Sequence, residues 1–293
     1  MIKDTLGRRA FLALNIVLLF LVAVICIVPI LHVIALSFSK NSSVMAGLVT
    51  IFPVNITTAP YRLLMQRPDF FDSFLMSLYR VLLGGAVNMA LIMVTAYPLS
   101  KNKNQFHGRG IYAWYLIITI IFSGGLIPTY MVVKEMGLLN SIWSLILPGA
   151  VPVWNVMLMM NFYRNLPREI EESAFIDGAN HITVLVKMYV PLSAPSAATV
   201  ALFTIVGHWN AWFDGMIYLN SPDKYPLQTF LKMIEATVSL GSTSSNNVEY
   251  MREISDRTLR SAQLVIAMVP VLCVYPFLQK YFTKGIVMGS VKG

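Results

Sequence analysis

Apolar residues fall into six long runs along this chain, near 11–38, 74–99, 111–133, 141–162, 195–219 and 262–282. Each is long enough for a helix that crosses a bilayer, which takes about 20 residues. Backbone polar groups find no water in lipid, so spans of this kind must be helical. The predicted fold class is therefore an all-α membrane protein with six transmembrane helices. Glycine and proline interrupt several runs: Gly124, Gly125 and Pro128 in the third, and Pro148, Gly149 and Pro152 in the fourth. Pro270 and Pro276 predict a broken last helix. Such breaks are tolerated where they are buried in protein or line a cavity.

The polar stretches between the runs divide the chain. Residues 1–73 read as a first, uncleaved span followed by an external segment, and 74–293 as the transmembrane core. Within the core lie a polar loop at 165–191, a second external loop at 220–261 and a short basic, glycine-containing tail at 283–293. Only 12% of residues are charged and the mean hydropathy is +0.65. Soluble domains carry about 25% charged residues, so composition agrees with the pattern. The net charge of +8 gathers at Lys3, Arg8 and Arg9, at Lys101, Lys103 and Arg109, at Arg164, Arg168 and Lys187, and at Lys280, Lys284 and Lys292. An even number of spans puts these four groups on one face, and positive residues mark the cytoplasmic face. Both termini are thus expected in the cytoplasm, and the charge needs no nucleic-acid partner. Cys26 and Cys273 sit inside apolar runs and read as buried thiols rather than a disulfide.

The loop from Arg168 to Pro191 holds four of the fourteen acids of the chain, Glu169, Glu171, Glu172 and Asp177. Pro167 marks a helix start, Asp177-Gly178 a sharp turn, and the apolar residues from Ile182 to Met188 a second short helix that Pro191 closes. The acids suit the solvated face of such a helix better than acid–base catalysis. The whole reads as a bent helical bracket carried between two spans.

This stretch resembles the signature loop of bacterial ABC importer permeases, a Glu-Ala-Ala triplet followed after three residues by Gly and then by an Ile-x-Leu-Pro ending. Here Glu172-Ser173-Ala174 precedes Gly178, and Met188-Tyr189-Val190-Pro191 ends the pattern, with Ser173, Met188 and Val190 departing from the consensus. The Asp177-Gly178-Ala179 core is most similar to carbohydrate importers, and the tail from Lys284 to Gly293 resembles that of maltose-type permeases. The resemblance implies a type I (MetI-like) permease bundle in the bacterial inner membrane. It also implies a homologous second permease, two ATPase subunits that hold ATP and magnesium, an extracytoplasmic solute-binding protein and a carbohydrate substrate. Glu172, Ser173, Ala174, Phe175, Ile176, Asp177, Gly178 and Pro191 would then seat on the ATPase. The run from Trp209 to Gln228 looks closest to importers of complex oligosaccharides, including uronate polymers such as alginate.

The chain itself lacks a Gly-x-x-x-x-Gly-Lys phosphate loop and any paired metal motif, so it is expected to be no enzyme and to bind no cofactor. Polar residues inside spans mark a bundle interior or a cavity. That rule selects Arg80 in the second run and His208, Trp209, Asn210, Trp212 and Asp214 in the fifth as candidates for the substrate path. Two readings stand for each. Arg80 either snorkels to the interface or faces a watery path, where it or His208 would counter an acidic sugar. The tryptophans either stack on sugar rings or belong to an interfacial belt. A permease for another solute such as a polyamine, phosphate or peptide remains an alternative. An ion-coupled secondary transporter is a further one, although no internal repeat is visible.

Overall fold

The computed structural model describes residues 6–66, 68–239 and 256–290. The chain divides into two compact units, Met1–Arg67 with Met233–Val269, and Pro68–Lys232 with Pro270–Gly293.

In the first unit, α1 (Leu6–Ser37) runs unbroken through Pro29. Its apolar side chains from Phe11 to Leu31 are exposed on this chain, which suits a helix surrounded by lipid or a second subunit. Two short helices follow, α2 (Asn41–Met45) and α3 (Ala59–Met65). A small core of Ala35, Val44 and Val49 packs α2 against the end of α1, and Tyr61 donates a hydrogen bond to Ser37 Oγ at 2.7 Å.

The second unit is built on α4 (Pro68–Ser100), a 33-residue helix. After it come α5 (Arg109–Ile121) and α6 (Leu126–Glu135), whose axes differ by 117°. The bend falls at the Gly124-Gly125 pair, and Gly125 takes a φ of +85° that side-chain-bearing residues avoid. Next are α7 (Trp143–Ile146) and α8 (Val153–Arg164), separated by Pro148, Gly149 and Pro152 with a 53° change of axis. The loop helices are α9 (Arg168–Ile176), α10 (His181–Val184) and, after one wide turn at Leu185–Tyr189, α11 (Val190–Leu192). A bend of 84° at Ser193 leads into α12 (Ala194–Asn210), followed by α13 (Phe213–Tyr218) and α14 (Leu227–Ser239). The final helix, α15 (Asp256–Ser290), extends from the first unit into the second. One hydrophobic core joins Ile92 and Ala96 of α4, Leu116 of α5, Val156 and Met159 of α8, Ala174 of α9, Val184 of α10 and Val200 of α12.

Among the described residues, three helices are long and apolar enough to cross a membrane, and up to six spans result if each bent pair counts as one. The six-helix membrane bundle of the sequence is therefore present, with three differences. The fifth run, expected to reach 219, stops at Asn210, because the chain turns extended at Ala211 before α13. The last helix passes through Pro270 and Pro276 instead of breaking, and continues as helix through residues 283–290 of the expected tail. A proline removes one ladder bond without ending a helix when its surroundings forbid exposed backbone. Cys26 and Cys273 are free and lie on the surface of the chain rather than buried, since α1 and α15 turn apolar faces outward. Residues 240–255 of the external loop and 291–293 of the tail lie outside the described residues.

Candidate functional site: the bracket and the polar cavity

The bracket forms for the reasons its residues suggest. Pro167 precedes the first turn of α9, with Glu169 and Glu171 near its positive end. At the other end Gly178 takes φ +81°. Its N–H bonds the Phe175 carbonyl at 3.1 Å, and Ala179 N–H bonds the Ala174 carbonyl at 2.9 Å. This is a Schellman closure, which satisfies carbonyls that the end of a helix otherwise leaves bare. Asn180 then caps α10 by accepting from Thr183 N–H at 2.8 Å.

Glu171 is not on the solvated face. It is 5% exposed, and Lys101, just beyond the end of α4, approaches its Oε1 at 2.5 Å. Tyr189 donates to Oε2 at 2.7 Å, and Tyr97 reaches Oε1 at 3.4 Å. The Lys101 ammonium also lies over the rings of Tyr97 and Tyr189, 3.9 and 4.3 Å from their centres. Burial pushes the Glu171 carboxyl up, but the bonds from Lys101 and Tyr189 and the lysine charge pull harder and hold it below the usual carboxylate range. Burial pulls the Lys101 ammonium down, against the support of Glu171. A buried charge pair thus bolts the bracket to the end of α4.

Around that bolt the sequence candidates separate. Ala174 is turned inward and packs in the core. Glu172, Ser173, Phe175, Ile176, Asp177, Gly178 and Pro191 are on the surface, and Ile176 is 86% exposed. Phe175 rests edge-on against His181, ring centres 4.9 Å apart. Ile182 and Val186 are also exposed, and with Ile176 give the bracket a bare apolar rim.

The second site is a cavity of about 430 Å³ among α4, α7, α8, α12 and α13. Arg80, His208 and Asp214 line it, as do Asn88, Asn155 and Thr204. Trp209, Asn210 and Trp212 do not. Trp209 is buried edge-on against Phe74, Asn210 is exposed at the end of α12, and Trp212 lies beneath the Lys232 ammonium.

Arg80 neither snorkels nor stands free. It is 2% exposed, and its two terminal nitrogens grip the two carboxylate oxygens of Asp214, while Nη1 also donates to the Ala211 carbonyl at 3.2 Å. The His208 ring lies so close to Gly84 that a β-carbon there would stand 2.7 Å from it. Arg80 Nε and Asn88 Oδ1 are buried with no hydrogen-bond partner among the described residues. Buried polar atoms rarely go unpaired, so these two cavity-lining residues each keep hydrogen-bonding capacity unspent. Asn88 and Asn155, missed as candidates, carried the same signal as Arg80: polar side chains inside apolar runs.

A polar cavity inside a helical membrane bundle, with a polar bracket bolted to the far end of a helix that lines it, is the arrangement a membrane permease needs. No protein-family model matches the chain. The polygalacturonan/rhamnogalacturonan transport system permease protein YtcP of Bacillus subtilis is 39% identical over 94% of this chain and 96% of its own length. Protein LplC of the same organism is 40% identical over 99% of this chain and 97% of its own. Among solved structures, a bacterial ABC transporter involved in the import of the acidic polysaccharide alginate matches with a TM-score of 0.85. That match is 29% identical and covers 96% of this chain and 100% of the other. The chain belongs to the carbohydrate ABC transport system permeases.

Proposed function

We propose that the chain forms half of the translocation path of an ATP-driven importer for an acidic oligo- or polysaccharide. It works in the bacterial inner membrane with both termini in the cytoplasm. The observation that carries the substrate class is that two relatives matched over nearly their whole length serve polygalacturonan/rhamnogalacturonan and alginate. Galacturonan and alginate both carry a carboxylate on their sugar rings.

Energy enters through the loop of residues 168–191. Its exposed rim of Ile176, Ile182 and Val186, flanked by Glu172 and Asp177, suits the groove of an ATPase partner, where a few apolar anchors supply most of the affinity. Two such ATPases bind ATP and magnesium, and a homologous second permease completes the path. An extracytoplasmic binding protein delivers the sugar to the 220–261 segment. ATP-driven closure of the ATPases biases the bundle between two arrangements.

The assembled transporter, reconstituted with its binding protein, should show ATPase stimulation by oligogalacturonate or oligoalginate and none by neutral maltooligosaccharides. The reverse order overturns the acidic substrate, and silence toward every sugar overturns the carbohydrate. Replacing Gly178 with valine forces a branched side chain into the left-handed region, at a cost of about 1–2 kcal/mol or more. We expect uptake and ATPase stimulation to vanish while the variant still reaches the membrane. Normal uptake would remove the loop from coupling.

A further inference from the structure

A second cleft, of about 270 Å³, opens beside the bolt that holds the bracket to α4. Lys101, Arg109, Arg164, Arg168 and Glu171 all line it. Glu171 is the one carboxylate among these five, and Lys101 and Tyr189 already engage it. Three guanidinium groups are left, and among the described residues none pairs with a carboxylate.

Their approach is organised by the backbone. Arg109 Nε and Arg164 Nη2 both donate to the same Leu99 carbonyl, at 3.0 and 3.1 Å. That oxygen lies in the last turn of α4, where carbonyls are bare and the helix end is negative. Capping therefore explains why two arginines come to this place. It does not use them up, because each guanidinium has five N–H donors and spends one on Leu99. Arg168 enters from the start of α9 and donates to Asn102 Oδ1 at 3.3 Å. Preference for basic residues on one face of a membrane accounts for their side, not for three of them from three separate elements meeting at one cleft. Held together they repel unless an anion sits between them.

We propose that this cleft binds the phosphate group of a small anionic ligand, bridging the end of α4 and the start of α9. Guanidinium forks match phosphate oxygens in pairs, which a point charge does not require. The volume falls just below the roughly 300 Å³ at which pockets for drug-sized ligands begin. It suits one phosphate group and its first attached atoms rather than a sugar polymer. The phosphate comes either from a soluble ester or from the headgroup of an anionic lipid. The site stands whether or not the bracket couples to an ATPase.

The test uses the full chain in nanodiscs of phosphatidylcholine, with inorganic phosphate titrated against chloride at constant ionic strength. Calorimetry and melting temperature are the readouts. Saturable binding is expected, weakened about tenfold or more by Arg168→Gln, the size of one lost charge-assisted contact. Arg168→Lys should fall between. Arg168 is exposed and, among the described residues, its side chain bonds only Asn102, so an unchanged melting temperature without phosphate shows that the variant is folded. Nanodiscs containing phosphatidylglycerol distinguish the two sources. Competition with phosphate assigns the site to a lipid headgroup, and undiminished binding assigns it to a soluble ester. Phosphate acting no differently from chloride, or equally on Arg168→Gln, overturns the proposal. So does an effect of Arg168→Gln seen only with the ATPase bound and without phosphate binding, which would give these arginines to a partner's carboxylate.

Discussion

Replacing Glu171 with alanine should destabilise the permease by about 3–5 kcal/mol, the usual cost of leaving one member of a buried ion pair alone. Lys101 would remain 6% exposed with its ammonium among aromatic rings and no carboxylate. A fall in melting temperature in detergent and loss of ATPase stimulation in the assembled transporter are the two readouts. The double variant Lys101→Met with Glu171→Met should recover much of the melting temperature, because well-packed apolar residues replace buried ion pairs at little cost. Coupling should return with it only if the bolt needs stiffness and not charge.

The same pair sets a pH response. The folded Glu171 carboxyl titrates below its ordinary value. Its contribution to stability is present above the ordinary carboxylate pKa and is lost as pH falls through the lowered one. Glu171→Gln should flatten the acid limb of the melting-temperature profile. An unchanged limb would mean that other carboxylates dominate it.

Replacing Arg80 with alanine should be as damaging, again about 3–5 kcal/mol, since it strands Asp214 and the Ala211 carbonyl beside a membrane cavity. Arg80→Lys should rescue only part, because an ammonium cannot span both carboxylate oxygens. Asp214→Asn should be milder than Arg80→Ala, since the amide oxygen still accepts. Membrane level and melting temperature measure all three. An Arg80→Ala protein of normal stability that loses acidic sugars alone would instead return Arg80 to substrate recognition.

Local chemistry was legible in the sequence and distant pairing was not. Pro167, Asp177-Gly178 and the apolar run after Asn180 specify the bracket, and its first helix and left-handed glycine stand where expected, whereas the second helix is interrupted by the wide turn at Leu185–Tyr189 and Pro191 lies inside α11 instead of closing it. Glu169, Glu171 and Glu172 look equivalent on paper. Glu171 is the buried one because Lys101 meets it across 70 residues of chain. Arg80 drew notice as an arginine in an apolar run, yet its partner Asp214 lies 134 residues away. Nothing local chooses between a snorkelling arginine and a paired one. The continuity of α15 through Pro270 and Pro276 was hidden for a similar reason, since proline breaks helices in water more readily than in a bundle.

Arg80 and Lys101 are both carried by α4 or its immediate end, 21 positions apart, which along a helix is about 30 Å. One charge pair fastens this rod to the bracket, and the other fastens it to the segment after α12. On the proposed coupling, such a rod, pinned at two points, would act as a tie bar: a tug at the bracket would arrive at Asp214 with little slack, because both joints are ion pairs with a buried cation. Cutting one pin should leave the other intact and the transmission dead, so the two joints would fail as links of a single chain rather than as independent parts.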